Sequence, residues 1–234
     1  RVRVLPRPDA RRSGRARRPR DDAAREVVVE RARGRDFRVA AGGFWQVHRL
    51  AADTLAGLVV ERVRAVAPHG QTAAVDPDAW HLDLYGGVGL FAAALGELGG
   101  PSTRVTSVES DPRATAHARE NLAEWAGARA ETARVDRWLA ALPERATRAD
   151  RERLRRGVVV LDPPRSGAGA AVSSAIAALQ PAAVVYVACD PVALARDLAA
   201  FRAAGYQPRS IDAVDLFPNS HHLEAVALLV RDAP

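Results

Sequence analysis

The sequence has little sulfur: its 234 residues include one cysteine and no methionine. A single cysteine cannot close an internal disulfide or supply a multi-cysteine zinc or iron–sulfur site. No apolar run approaches the roughly 18 residues that cross a bilayer. The basic start is not followed by the apolar stretch and small-residue cleavage site of a secretory signal. These absences predict a reduced, cytoplasmic setting, with no metal centre and no membrane span.

Lysine is also absent, so all 34 basic residues are arginine, and they are unevenly placed. Residues 1–20 hold nine arginines and one acid, a net +8, whereas the whole chain carries +6. Because this stretch also lacks apolar periodicity, we interpret residues 1–22 as a basic flexible segment. Such a segment could bind RNA through phosphate contacts or serve as a solvated linker. A first residue other than methionine suggests a piece of a longer or processed chain.

Short strands alternate with helices from residue 80 onward. Five such runs are followed within two residues by a glycine, a proline or an acid: 81–84, 104–108, 131–135, 157–161 and 183–188. Helical spacing predicts helices at 47–66, 90–98, 111–125 and 192–203, and two closing strands are predicted at 209–215 and 223–230. This alternation predicts an α/β fold, a Rossmann-like, mostly parallel sheet with helices on both faces. Two earlier runs, 26–30 and 36–40, flank Gly34 and predict a short β hairpin before it.

The ends of the first two strands of the predicted sheet favour a nucleoside site. The first strand closes on a glycine loop at 85–89, and the second on Glu109. Glycines at a helix start let a ligand approach the backbone, and an acid about twenty residues further on typically binds ribose hydroxyls. Because residues 87–92 also satisfy the G-x-G-x-x-A pattern, the loop leaves both a nicotinamide dinucleotide and S-adenosylmethionine open.

Two later strands end in residues suited to catalysis. Two prolines follow Asp162 and stiffen its loop, so its carboxylate is held at the edge of the sheet, where it can position a substrate. Cys189 ends the strand 183–188, just before a proline-initiated helix. A helix start lowers the pKa of a thiol and favours the thiolate. The alternative interpretation of a lone cysteine is an inert core residue.

Together these residues resemble the RNA 5-methyluridine methyltransferase family, which uses S-adenosylmethionine. The resemblance runs from about Arg35 to Arg231. Five segments carry it: FWQVH at 44–48, LDLYGGVG at 82–89, LDPPRSG at 161–167, YVACDPVALARD at 186–197 and DLFPNSHHLE at 215–224. The resemblance implies a class I methyltransferase fold and methyl transfer to C5 of a uridine in tRNA or rRNA.

The resemblance also implies a role for each matching residue. Cys189 would be the nucleophile that adds to C6 of the uracil, and Glu224 the general base that removes the C5 proton. Uracil C5 is a poor nucleophile until C6 is attacked, so a thiolate and a base are both required. The cofactor contacts would be Gln46, Tyr85, Glu109, Asp136 and Asp162. Among these, Glu109 would bind the ribose, Asp136 the adenine from the end of the third strand, and Asp162 the target base as well.

The same resemblance predicts the domain organisation. Residues 23–46 would be the hairpin remnant of a central domain that leads into the cofactor site, and residues 47–234 the methyltransferase domain. The sequence departs from the family pattern at Ala188, Asp190 and Leu90. Family members usually begin with a small RNA-binding β-barrel, and some carry a four-cysteine cluster; neither is visible in this sequence.

Three other functions fit part of the sequence. A methyltransferase acting on another base position, such as cytosine C5, would keep the fold and the cofactor. A nicotinamide-dependent dehydrogenase would fit the glycine loop and Glu109, but it leaves Cys189, Asp162 and Glu224 without a role. A non-catalytic RNA-binding remnant would explain the missing barrel. The sequence leaves the oligomeric state and the particular RNA open.

Overall fold

The computed structural model describes residues 26–67, 74–217 and 223–231. The predicted basic segment, 1–22, lies outside the described residues, as does the middle of the last motif, 218–222. Within the described residues the chain forms a two-stranded hairpin and a seven-stranded sheet.

Nine strands are described: β1 (Val27–Ala32), β2 (Arg35–Ala40), β3 (His81–Leu84), β4 (Val105–Glu109), β5 (Arg129–Thr132), β6 (Val158–Leu161), β7 (Ala183–Ala188), β8 (Tyr206–Val214) and β9 (Glu224–Arg231). Seven helices accompany them in the described residues: α1 (Ala51–Arg64), α2 (Leu90–Gly99), α3 (Pro112–Asn121), α4 (Val135–Arg145), α5 (Arg148–Arg156), α6 (Ala170–Ala178) and α7 (Pro191–Ala203).

The large sheet has the strand order β5-β4-β3-β6-β7-β9-β8. Neighbours from β5 to β7 pair in parallel, whereas β9 runs antiparallel to both β7 and β8. The chain therefore builds outward from β3, first towards β5 and then in the other direction from β6. In open α/β sheets, ligands bind beyond the carboxyl ends of the strands where the order reverses. The ends of β3, β4, β6 and β7 all lie at this edge.

The sheet is covered on both faces. Alternate residues of β7 belong to two separate hydrophobic clusters, with Val185 and Val187 in one and Val184 and Tyr186 in the other. Helices α1, α2 and α3 contribute to the first cluster, and α4 to α7 contribute to the second. This arrangement confirms the predicted fold class, a mostly parallel sheet with helices on both faces, preceded by a short antiparallel hairpin.

The hairpin is attached to the sheet domain through Asn121 at the end of α3. Its side-chain oxygen accepts the backbone N–H of Arg38 at 2.9 Å, and its amide nitrogen donates to the carbonyls of Arg38, at 3.1 Å, and Val88, at 2.9 Å. Trp45 packs against Phe37 with the ring centroids 5.6 Å apart. These contacts fix the segment after β2 beside the end of β3.

The predicted strand at 131–135 is wrong in its position. Strand β5 spans Arg129–Thr132, and Asp136 lies in the first turn of α4 instead of at the end of a strand. The sequence offers little signal of this boundary, because the N-cap residue Arg134 makes no side-chain capping bond. Helices α4, α5 and α6 were not predicted.

Candidate active site

The seven predicted site residues surround one cavity of about 810 Å³ at the carboxyl edge of the sheet: Gln46, Tyr85, Glu109, Asp136, Asp162, Cys189 and Glu224. The volume is in the range of small-molecule and cofactor sites. Strands β3 and β4 and the start of α4 supply one end of the cavity. Strands β6, β7 and β9 supply the other.

The turn after β3 gives a ligand direct access to the backbone. Tyr85 has a φ of 62° and Gly87 a φ of 54°, both in the left-handed region. A Cβ at Gly87 would have no atom within 4 Å, so this residue faces open space in the cavity. Its N–H donates to Oε2 of Glu109 at 3.2 Å. The other oxygen, Oε1, accepts the N–H of Asp111 at 2.8 Å. The Glu109 carboxylate is thus held in place at the cavity wall.

A buried carboxyl group that the sequence analysis did not single out supports this turn from behind. Oδ2 of Asp83 accepts the N–H of Ala92 at 3.1 Å and the hydroxyl of Ser107 at 3.2 Å. Burial raises the pKa of Asp83 to about 7. A Cβ on Gly86 would overlap Ser107 and lie 2.7 Å from Oδ2 of Asp83, so any larger residue must displace these side chains. The sequence does contain a signal for this role, because Asp83 is an acidic residue between the two leucines of a short strand.

Asp136 is paired with a second residue that the sequence analysis missed. Arg134 donates through Nε, at 3.1 Å, and through Nη2, at 2.9 Å, to the two oxygens of Asp136. These hydrogen bonds hold the pKa of the Asp136 carboxyl below its usual range. Burial and then the charge of Asp136 raise the pKa of Tyr85. Both members of the pair line the cavity.

Three neighbouring strands place the reactive groups side by side. Asp162 follows β6, and its N–H donates to the carbonyl of Leu84 at 3.2 Å. Cys189 follows β7 directly. Glu224 begins β9, and the pairing of Ala188 with Ala225 puts it beside the end of β7. The sheet thus brings together two carboxyl groups and a thiol that are far apart in the sequence.

The surroundings of Cys189 contradict the prediction of a lowered thiol pKa. Burial, followed by the charges of Glu224 and Asp162, raises the pKa of Cys189, and the Arg165 guanidinium opposes this only in part. Burial also raises the pKa of Glu224. Burial and the charges of Glu224 and Asp83 raise the pKa of Asp162 to about 8. Burial, together with the two acidic neighbours that the sheet adds, outweighs the effect expected of the helix start.

The described residues contain neither a candidate membrane span nor a candidate metal site. None of the helices there is both long and apolar enough to cross a membrane. No group of three or more His, Cys, Asp or Glu side chains in the same part of the chain could hold a metal ion.

The sheet, with a cavity along its carboxyl edge, has the Rossmann-like fold of S-adenosylmethionine-dependent methyltransferases. The sequence profile of tRNA (uracil-5-)-methyltransferases matches residues 73–232. The chain belongs to this family of RNA methyltransferases. The match and the resemblance seen in the motifs agree.

Individual relatives support this assignment. An uncharacterised RNA methyltransferase of Streptomyces avermitilis is 45% identical over 206 residues, which are 88% of this chain and 43% of the relative. One from Streptomyces coelicolor is 43% identical over 205 residues, 88% of this chain and 41% of the relative. The tRNA (uracil-54, C5)-methyltransferase of Pyrococcus abyssi, solved in complex with S-adenosyl-L-homocysteine, matches with a TM-score of 0.66 at 27% identity. That match covers 88% of this chain and 44% of the Pyrococcus chain. The chain thus spans less than half the length of these relatives.

Proposed function

We propose that this chain transfers a methyl group from S-adenosylmethionine to C5 of a uridine in RNA, through a covalent bond between Sγ of Cys189 and C6 of the base. The observation that carries the proposal is the placement of Cys189 and Glu224 on adjacent strands at one end of a cavity. The other end of the same cavity carries the glycine turn and Glu109.

The cofactor is S-adenosylmethionine, and when bound it supplies an electrophilic methyl group. The cavity fits it, because Gly87 leaves open space beside a fixed carboxylate, Glu109, which would bind the ribose hydroxyls. Asp136, held by Arg134, would accept from the adenine amino group. Tyr85, Gln46 and Asp162 complete the set of residues that would hold the cofactor.

The remaining residues carry the chemistry on the base. The thiol of Cys189 gives up its proton to solvent, and the thiolate adds to C6, which makes C5 a carbon nucleophile. C5 then takes the methyl group. The carboxylate of Glu224 removes the proton from C5, the electron pair of that bond forms the C5–C6 double bond, and the sulfur leaves with the electrons of the C–S bond. Burial raises the pKa of Glu224, which makes its carboxylate a stronger base than an exposed one.

The relatives indicate which RNA to test first. The Pyrococcus abyssi enzyme acts on uracil 54 of tRNA, so tRNA is our proposed substrate class, ahead of rRNA. We also keep the domain interpretation as a proposal: residues 47–234 form the methyltransferase domain, and residues 23–46 are the hairpin that leads into its cofactor site.

Trapping on tRNA transcripts that contain 5-fluorouridine tests the mechanism. Fluorine at C5 cannot be removed as a proton, so the methylated base should stay bound to Cys189 and give a protein–RNA adduct that survives denaturing electrophoresis. The Cys189→Ala variant should give no adduct and no methyl transfer, while its affinity for S-adenosylhomocysteine stays near that of the parent.

Three results would contradict the proposal. Methyl transfer by the Cys189→Ala variant would rule out the covalent mechanism. An adduct formed only with 5-fluorocytidine RNA would assign the enzyme to cytosine C5. RNA binding without transfer of labelled methyl, in the parent and in the variant alike, would identify a non-catalytic RNA-binding protein.

A further inference from the structure

A buried carboxylate on α7 makes contacts that the mechanism above does not use. Asp197 is fully buried. Its Oδ2 accepts three hydrogen bonds: from the hydroxyl of Tyr186 at 2.7 Å, from the N–H of Ala168 at 2.7 Å and from the N–H of Gly169 at 3.1 Å. Tyr186 belongs to β7, and the two amides belong to the segment between β6 and α6. One oxygen atom therefore joins three parts of the chain.

The other oxygen of the same carboxylate extends this connection. Oδ1 accepts from Nε of Arg196 at 3.1 Å and from its Nη2 at 3.0 Å. The guanidinium of Arg196 also donates to the carbonyl of Ser166 at 2.6 Å. Gly167 has a φ of 78°, and a Cβ there would lie 2.5 Å from both Nη2 of Arg196 and Oδ2 of Asp197. The segment is packed closely onto α7.

The connected segment, residues 163–169, forms one wall of the cavity. It follows Asp162 and carries Arg165, and both of these residues act electrostatically on Cys189. Asp197 connects this segment to strand β7 and to helix α7, and these two elements lie directly before and after Cys189. Tyr186 precedes Cys189 by three residues in β7, and α7 begins two residues after it.

We propose that Asp197 is a positioning residue that holds the wall segment 163–169 in a fixed place relative to Cys189. The effect on catalysis rests on the proposed function, whereas the effect on the surroundings of the thiol does not. Desolvation works against the charged form, but the hydrogen bonds to Tyr186, Gly169, Arg196 and Ala168 outweigh it and lower the pKa of Asp197. An ionised carboxylate can accept all of these bonds, whereas an amide nitrogen in its place would face N–H donors.

Two tyrosines of this chain provide a matched pair of variants. Tyr186 and Tyr206 are both fully buried, and the hydroxyl of each donates one hydrogen bond of 2.7 Å, to Asp197 and to the carbonyl of Pro181 respectively. Tyr186→Phe removes the bond to Asp197 and also the 3.1 Å bond that the hydroxyl accepts from the N–H of Ala168 in the wall segment. Tyr206→Phe removes a buried tyrosine hydrogen bond elsewhere in the fold. Asp197→Asn is the stronger variant. Should Asp197→Asn fail to fold, Tyr186→Phe still tests the proposal.

Alkylation of Cys189 by iodoacetamide gives a readout that needs no enzymatic activity, because the chain has one cysteine. We expect Tyr186→Phe and Asp197→Asn to be alkylated several-fold faster than the parent, since a loosened wall exposes the thiol. Tyr206→Phe should be alkylated at the parental rate, even where its thermal unfolding midpoint falls as much as that of Tyr186→Phe. Equal alkylation rates in Tyr186→Phe, Tyr206→Phe and the parent would overturn the proposal.

Kinetics then test the effect on catalysis. Methyl transfer by Tyr186→Phe should lose roughly tenfold or more in kcat, as misplaced reacting groups do. Its Kd for S-adenosylhomocysteine should stay near the parental value, because Tyr85, Glu109 and Asp136 lie on other elements. A raised Kd with unchanged kcat would overturn the positioning role. A parent that transfers no methyl group would instead refute the proposed function, and the alkylation rates would still decide between a fixed and a free wall.

Discussion

The thiol of Cys189 lies among charged groups from three parts of the chain. Glu224 and Asp162 raise its pKa, after burial, and Arg165 partly opposes them. A protonated thiol is a weak nucleophile and is slow to oxidise. Burial and the two acidic neighbours therefore favour the protonated form of the Cys189 thiol.

Glu224→Gln is predicted to change the titration of Cys189 and to stall the reaction. Removing a negative charge beside a thiol stabilises the thiolate, so the pKa of Cys189 should fall, and the midpoint of its alkylation rate against pH should move to a lower pH. With ordinary uridine RNA the same variant should accumulate the methylated covalent adduct, because the C5 proton stays in place. Measurements are alkylation rates between about pH 7 and 10, a range around the ordinary thiol pKa, and denaturing electrophoresis.

The control for this prediction is Glu144→Gln, an exposed position near the end of α4, away from the cavity. It should match the parent in both measurements. A midpoint for Glu224→Gln that stays in place or rises would show that Glu224 does not act on the thiol. Turnover of this variant at the parental rate, without adduct, would exclude Glu224 as the base.

Short motifs mark the candidate site residues in the sequence, but no motif indicates how their charges shift one another's pKa values. The apolar runs placed Asp162 and Cys189 at strand ends, the family resemblance singled out Glu224, and the three residues line one cavity. The pKa of Cys189 is raised by burial and then by the charges of Glu224 and Asp162. These two residues come beside the thiol only because β7 pairs with β9 and with β6. Arg134 was missed for a related reason, since its position beside Asp136 depends on where α4 begins.

At the scale of elements, the turn after β3 is closely packed at Gly86. We predict that Gly86→Ala lowers the free energy of unfolding by about 1–3 kcal/mol, the usual cost of overpacking, because its Cβ would overlap Ser107 and crowd Asp83. Cofactor affinity should fall with it, since the next residue, Gly87, donates to Glu109. Urea unfolding and calorimetric titration with S-adenosylhomocysteine measure the two effects.

Gly42→Ala is the matched control, because a Cβ there would have no atom within 4 Å and the residue is not in the left-handed region. It should leave both quantities close to those of the parent. If Gly86→Ala proved as stable as Gly42→Ala, the turn would have room to relax, and the fixed geometry inferred for Glu109 would not hold.

The sequence predicted those elements that bury a continuous apolar surface. Strands β3, β6 and β7 are buried along their whole length, and their apolar runs located them. Helix α5 buries only Leu154, so it lacks an apolar stripe, and a capping box between Thr147 and Asp150 is its one clear signal. The short edge strand β5 is mostly exposed or half-exposed, which explains why its end was misplaced.

At the scale of the whole molecule, charge and chemistry are separated along the chain. Residues 1–20 carry a net +8, so the remaining 214 residues sum to −2. A faintly acidic catalytic part has little general attraction for a phosphate backbone. Because phosphate contacts supply affinity without sequence information, the basic segment is where we expect affinity for RNA to reside, while the cavity selects the base.

Deletion of residues 1–20 should therefore weaken RNA binding and flatten its salt dependence. Each arginine that releases a phosphate counterion adds about 0.7 to 0.9 to the slope of log K against log salt concentration, so loss of about four contacts should reduce the slope by roughly 3. Affinity for S-adenosylhomocysteine should not change.

A variant with the nine arginines replaced by glutamine keeps the length of the chain and should behave like the deletion. This variant separates the effect of charge from that of chain length. If both variants bound tRNA with the parental affinity and slope, the catalytic part itself would have to supply the phosphate contacts, and the basic segment would act as a linker.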